Sequence, residues 1–283
     1  MFFYFVNLGI LRNFRRRISC CSDRRLPAGK ERDTGGKAGW NMTDSYIDIH
    51  SHILPQIDDG AENFDMSMEM LRTAHEENIG AVILTPHYKP MHHNAGPEKI
   101  AALKEKLQRE IDREGLQIQL YHGNEFYYHS GIFQKLEEKK ACSLAGSSYV
   151  LIEFGPMEGF GYIRNGLYEA LSQGYRPILA HVERYTSIVK EPDRVGELTG
   201  MGCCIQVNAG SITGKFGFGT RQFARRLLKE RLVHFVATDA HNSTKRAPEL
   251  SECGRYIGRK YGEEYAFRLL YENPMHVIRD EYI

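Results

Sequence analysis

YIDIHSHILPQIDDGA (46–61) decides the reading of the fold. Tyr46 to Ile49 form a short apolar run that predicts a β-strand, and His50-Ser51-His52 stands at its end. Alternate side chains of a strand point the same way, so both imidazoles can reach one cation. The HxH pair is followed by an IDDG turn (57–60) that adds two carboxylates, Asp58 and Asp59.

Outward from this stretch, short apolar runs alternate with amphipathic ones, the pattern of repeated βα units around a parallel sheet. Six more strands are predicted: AVILT (81–85), IQLY (118–121), YVLIE (149–153), PILA (177–180), CIQV (204–207) and HFVAT (234–238). Helices are expected over 64–77, 97–114, 161–173, 191–200 and 219–230, with a helical stretch from Ala247 onward packed against the outside. The expected fold class is α/β, a distorted (β/α)7 TIM-like barrel in a single domain.

Residues at or just past the strand ends point to chemistry. In chain order they are His50 and His52, His87, Glu125, Glu153, His181, Asn208, then Asp239 with His241. In a parallel α/β barrel the carboxyl ends of the strands converge on one face, where active sites are built. One such His or Glu would ordinarily be a surface or hydrogen-bonded residue. A whole series of nitrogen and oxygen ligands on one face predicts a multinuclear metal site. With no thiolate among them, the set suits manganese, iron or zinc and does not choose.

The motifs DIHSHILPQIDDGA (48–61), TPHY (85–88), GNEFYYH (123–129), LIEF (151–154), AHVERY (180–185) and ATDAHN (237–242) resemble those of the polymerase and histidinol phosphatase (PHP) family. Within it, the chain is most similar to the bacterial manganese-dependent protein tyrosine phosphatases of capsule and exopolysaccharide loci, the CpsB/YwqE type. The resemblance spans Tyr46 to the C-terminus. It implies a first metal held by His50, His52, Glu125 and Asp239, with Glu125 bridging to a second that Glu153 and His181 complete. A third would lie between Asp59, His87 and His241, Asp58 being the less favoured of the two aspartates. Arg184 and Arg246 match positions that contact phosphate.

The implied activity is hydrolysis of phosphotyrosine on a protein, with a metal-bridging hydroxide as nucleophile. The tyrosine-rich tail of a bacterial autokinase is the expected substrate, and the cytoplasm, at the inner face of the membrane, the expected location. Tyrosinate, from a phenol of pKa near 10, leaves readily enough that no general acid is assigned. Two other readings stand beside it: a phosphatase of a small phosphomonoester such as histidinol phosphate, and a noncatalytic metal-binding module.

Composition narrows the partners. The 283 residues carry a formal charge of +1, but residues 1–42 hold nine Lys/Arg against three Asp/Glu, which leaves 28 against 33 in the remainder. A net acidic body lacks the basic footprint that nucleic-acid binding requires. No run approaches the ~20 apolar residues of a membrane span. The opening MFFYFVNLGIL places its basic residues after the apolar run, the reverse of a secretory signal. An apolar patch beside a basic cluster could also lie on an anionic membrane surface. The favoured reading of residues 1–42 is a disordered extension, or sequence upstream of a true start at Met42, with the domain over 43–283.

The six cysteines form no CxxC pair and are read as reduced thiols. Cys253 and Arg259 match the C-x5-R spacing of cysteine phosphatases, yet ELSECGRYIGRKYG (249–262) reads as a helix with no strand before it. GKFGFG (214–219) lacks the Lys-Ser/Thr ending of a phosphate loop and is expected to be a connection before a helix. Phe126, Tyr127 and Tyr128 could flank a substrate ring or simply pack.

Overall fold

The computed structural model describes residues 45–283. The readings made for residues 1–42 lie outside the described residues. Nine parallel strands appear: β1 (Tyr46–Ser51), β2 (Ile79–Leu84), β3 (His87–Tyr88), β4 (Gln119–His122), β5 (Glu125–Tyr127), β6 (Tyr149–Glu153), β7 (Arg176–Leu179), β8 (Cys204–Asn208) and β9 (Phe235–Ala237). They pair in the orders β1-β2-β4 and β3-β5-β6-β7-β8-β9.

The two sheets are joined by their own chain. β3 continues β2 beyond Thr85-Pro86, and β5 continues β4 beyond Gly123-Asn124. Hydrogen bonds from Gly123 N to Leu84 O (2.9 Å) and from Glu125 N to Pro86 O (3.2 Å) carry the pairing across the interruption. The far ends meet where His52 N donates to Ala240 O (2.8 Å) and Asp239 N to His50 O (2.9 Å), around a parallel bridge between Ser51 and Ala240. Counting each interrupted pair as one strand, seven positions close a (β/α)7 barrel in sequence order.

Pro86 has no N–H to give to the ladder, and the interruption falls there. Asn124 compensates by donating from Nδ2 to Pro86 O (3.0 Å) and accepting from Cys142 N (2.9 Å). Gly123 is required for space, since a Cβ there would lie 2.9 Å from the Leu144 Cα. The resulting β3 and β5, of two and three residues, were too short to be predicted as strands; the seven predicted ones appear within two residues of their expected bounds.

Helices follow the strands on the outside: α1 (Phe64–Glu76), α2 (Pro97–Glu114), α3 (Ile132–Glu137), α4 (Phe160–Ser172), α5 (Thr186–Val189), α6 (Arg194–Gly200), α7 (Ala209–Thr213), α8 (Phe218–Lys229), α9 (Ser251–Tyr261), α10 (Glu263–Phe267) and α11 (Asn273–Arg279). α2 shows why they form where they do. Pro97 starts it, Ile100, Leu107 and Ile111 bury one stripe at helical spacing, and Gly115 ends it with φ 73°. α10, the π-helical turn after it and α11 form the C-terminal cover, packed against β1 and β9 as expected for the stretch after Ala247. Strands such as YVLIE (149–153) are buried on both faces, which accounts for their unbroken apolar runs.

Among the described residues no helix is long and apolar enough to cross a membrane.

Candidate functional site

The nine expected ligands, eight from the strand ends and Asp59 from the IDDG turn, gather at the carboxyl mouth of the barrel. β1 supplies His50 and, just past its end, His52, both buried. His50 Nε2 and His52 Nε2 lie 3.2 Å apart. Glu125 Oε1 is 3.3 Å from His50 Nε2, Glu125 Oε2 is 3.3 Å from His52 Nε2, and Asp239 Oδ1 is 3.5 Å from both nitrogens.

The tautomers of these rings follow from their outer neighbours. His50 Nδ1 faces the carbonyl oxygen of Gln206 at 3.2 Å, His52 Nδ1 the Asp58 carboxylate at 2.7 Å, and His241 Nδ1 the backbone oxygen of Asp239 at 2.9 Å. Each of these partners only accepts, so each Nδ1 donates, and in the neutral ring each Nε2 keeps its lone pair. Two lone pairs facing each other at 3.2 Å repel unless a cation or proton lies between them. Ligands about 2.1 Å from a metal at octahedral to tetrahedral angles are separated by roughly 3.0 to 3.4 Å, the range found here.

Two further groups adjoin this one. His87 Nδ1 lies 2.9 Å from Glu125 Oε2 and 3.1 Å from Glu153 Oε1, while its Nε2 lies 3.2 Å from Asp59 Oδ1. Asp59 Oδ1 is also 3.6 Å from His241 Nε2. His181 Nε2 is 2.9 Å from Glu125 Oε1 and 3.8 Å from Glu153 Oε2. His87 Nδ1, Glu125 Oε2 and Glu153 Oε1 are buried with no aligned hydrogen bond despite their proximity. Such convergence on a point, rather than on one another, fits ligand atoms. Four groups, drawn from all nine residues, have the spacing to hold a metal ion. Two of these groups are His87 with Glu125 and Glu153, and His181 with His50 and Asp239, and His181 also approaches Glu153.

The charges respond accordingly. Burial opposes ionisation of Glu125, but the His50 imidazole, His181 and His52 hold it well below the usual carboxylate range. Burial likewise opposes charge on Asp239, and His50, His52 and Arg184 overcome it. Burial pushes His87 down, yet Asp59, Glu125 and Glu153 together draw it up to about 11. The mouth therefore has a strong negative potential that a proton or a metal cation can satisfy.

Asp58 and Asp59 divide their work. Asp58 accepts from His52 Nδ1, Gly60 N (3.0 Å) and His87 N (3.1 Å), so its oxygens are engaged in orienting the histidines. Asp59 projects with its side chain 62% exposed toward His87 and His241.

Arg184 and Arg246 both reach Asp239 Oδ2. Arg184 Nη2 donates at 2.6 Å, and Arg246 Nη2 lies 2.7 Å away without hydrogen-bond alignment. Both side chains are partly exposed, although Nε and Nη2 of Arg246 are buried. His181 (φ 32°) and Asp239 (φ 52°) adopt left-handed backbone at the ends of their strands, a conformation that costs energy and clusters at functional sites.

Several supporting residues were not legible in advance. Gln206 Oε1 accepts from His50 Nδ1 and His181 N (2.8 Å), its Nε2 donates to Asn208 Oδ1 (2.7 Å), and Asn208 Nδ2 donates to Asp239 Oδ2 (2.9 Å). Glu183 Oε1 accepts from Asn208 N (2.9 Å) and Ser211 Oγ (2.6 Å). Asp48 accepts from Thr238 N (3.0 Å) and its hydroxyl, pinning β1 to the end of β9, and burial pushes its carboxyl up to about 6. The signal was present as polar residues at alternate positions of buried strands: Asp48 before His50, and Gln206 before Asn208.

Cys253 lies in α9, where burial pushes its thiol far above the ordinary range, the opposite of what a nucleophile needs. Cys203 and Cys204 are free as well. Phe126 is core and Tyr128 is buried with its hydroxyl on Glu169, leaving Tyr127 half-buried at the mouth.

Fold and site define a class, the seven-stranded parallel barrels that carry groups of potential metal ligands at their carboxyl mouth. Residues 46–279 match the model of the family described as capsular polysaccharide synthesis, CpsB/CapC. Tyrosine-protein phosphatase CpsB of Streptococcus pneumoniae is 35% identical over 244 residues, covering 84% of this chain and 100% of the relative. Tyrosine-protein phosphatase YwqE of Bacillus subtilis is 32% identical over 237 residues, covering 84% and 93%. A crystal structure from work on YwqE of B. subtilis and CpsB of S. pneumoniae, described as metal-dependent tyrosine phosphatases, matches with TM-score 0.79 and 32% identity, over 84% of this chain and 96% of that one. The chain belongs to the CpsB/CapC family.

Proposed function

We propose that the domain over residues 43–283 is a metal-dependent phosphatase that hydrolyses phosphotyrosine on proteins. The observation that carries this reading is the facing pair of His50 and His52 Nε2 atoms, closed by Glu125 and Asp239 and overlooked by two arginines. Similarity to tyrosine phosphatases over most of the chain supplies the substrate class.

His50, His52, Glu125 and Asp239 would hold a first cation, and Glu153 and His181 would share Glu125 for a second. Asp59 with His87 and His241 would hold a third, manganese being the favoured ion over iron or zinc. When bound, such cations lower the pKa of water and neutralise phosphoryl charge. Arg184 and Arg246 would turn from Asp239 to the phosphoryl oxygens and balance charge on the transferring group. The outer contacts of Asp58 and Gln206 hold the imidazoles so that Nε2 stays unprotonated and aimed inward. The substrate we favour is the tyrosine-rich tail of a bacterial kinase controlling polysaccharide synthesis, met in the cytoplasm at the inner membrane face.

The test is phosphotyrosine-peptide hydrolysis with chelator and with added manganese, alongside histidinol phosphate. Activity is expected to disappear with chelator and in His181→Ala, and to persist in Cys253→Ser. Full activity in chelator together with loss in Cys253→Ser would overturn the reading.

A further inference from the structure

Apolar side chains stand on both sides of the arginine pair, and each is fixed in place. Met157, 79% exposed, lies in the loop after β6. Thr186, two residues past Arg184, donates its hydroxyl to the Met157 sulfur (3.4 Å) and its N–H to Pro156 O (2.9 Å). Phe216, 41% exposed, lies in the loop between α7 and α8 and lines a small cleft together with Lys245 and Arg246. Its ring rests on Gly210, where a Cβ would lie only 2.8 Å away. A single exposed apolar residue needs no explanation. Two that are held by specific contacts, Met157 in the loop after β6 and Phe216 in the cleft that Arg246 lines, offer apolar surface on either side of the mouth.

We propose that Met157 and Phe216 form a docking surface for the residues that flank phosphotyrosine in an extended peptide. The inference rests on the phosphatase reading and extends it, since a small phosphomonoester held by the arginines would leave both side chains uncovered. A tyrosine ring must enter a mouth whose proposed ligands are mostly buried, which leaves the flanking backbone across the rim. The cleft beside Phe216 carries Lys215, Lys245 and Arg246 against Glu249 and Glu252, with Lys215 paired to Glu249, and this small positive balance favours acidic neighbours of the tyrosine over basic ones.

The experiment compares kcat/KM for an acidic ten-residue phosphotyrosine peptide with kcat/KM for p-nitrophenyl phosphate, using the full chain with added manganese. In the Met157→Ser, Phe216→Ser double variant the peptide-to-small-substrate ratio is expected to fall roughly tenfold, mainly through a higher peptide KM, as apolar contact area is lost. Tyr168→Ser, a 63% exposed position on α4, serves as the control and should leave the ratio within twofold. Thermal melting checks the fold. If Phe216→Ser loosens it, Met157→Ser alone should lower the ratio about threefold. A ratio within twofold of the parent in a folded variant, or an equal fall in the control, would overturn the docking surface. A parent protein that cleaves p-nitrophenyl phosphate but no phosphotyrosine peptide would remove the protein-phosphatase reading, and the docking surface with it.

Discussion

At the residue scale, His87 is the most informative side chain of the mouth. It presents one nitrogen to Glu125 and Glu153 and the other to Asp59, and its pKa rises from about 6.5 to about 11. A raised imidazole pKa means that the folded, metal-free protein binds this proton more tightly than the unfolded chain does. Its contribution to stability is therefore complete below the unfolded pKa and is lost as pH rises toward about 11. A metal ion takes the same electrons and must expel the proton. Metal loading at neutral pH should thus release protons, with apparent affinity increasing as pH rises. Calorimetric titration in two buffers of different ionisation enthalpy measures this release, and identical heats in both would remove the argument. Sequence alone pointed to His87 as a ligand because it stands just past a strand, in TPHY. That both of its nitrogens face carboxylates depends on Asp59 and Glu153, 28 and 66 residues away, and could be seen only in three dimensions.

At the element scale, the interrupted strands place the ligands. The register is the same on both sides of the break, His122 opposite Leu84 and Glu125 opposite His87, so Gly123-Asn124 interrupts the ladder without shifting it, and beyond the break β5 also pairs with β6. The break depends on close passage of Leu144. Gly123→Ala would push a Cβ against the Leu144 Cα and Cδ2 and the Ser143 carbonyl, at 2.9, 2.9 and 3.1 Å. Expected destabilisation is roughly 1–3 kcal/mol, measurable as a lower denaturant midpoint at unchanged slope; an unchanged midpoint would show that the backbone can move aside freely. Long apolar runs such as YVLIE declared their strands in the sequence, because strands buried on both faces tolerate little else. The two short strands carried no such pattern. Their existence follows from the N–H that Pro86 lacks and from the Asn124 side chain, which braces the break by donating to the Pro86 carbonyl. Helices were legible for the opposite reason, since α1, α2 and α8 show one apolar stripe against a charged remainder.

At the scale of the whole molecule, chain order and ring closure make one site from residues spread between 50 and 246. Six of the strand positions contribute a proposed ligand, and the seventh, β8, contributes the Gln206 and Asn208 contacts that hold its neighbours in place. This supporting layer was hidden because a polar residue inside a strand looks the same whether it faces water or a ligand. Asp239 was legible as a ligand from its place past a strand, but only the folded chain shows His50 and His52 on one oxygen and two arginines on the other. Glu125 has a wider consequence. One oxygen lies against His50 and His181 and the other against His52 and His87, so a single carboxylate ties the neighbouring groups into one unit. Removal of one cation would leave that carboxylate short of positive charge and free to turn, loosening its neighbours. Depletion should be cooperative, with activity and bound metal, followed by elemental analysis during graded chelation, falling together over a narrow range. Stepwise loss of independent ions would show that Glu125 does not link them. The barrel would then behave as a switch between loaded and empty forms, set by the supply of metal around it.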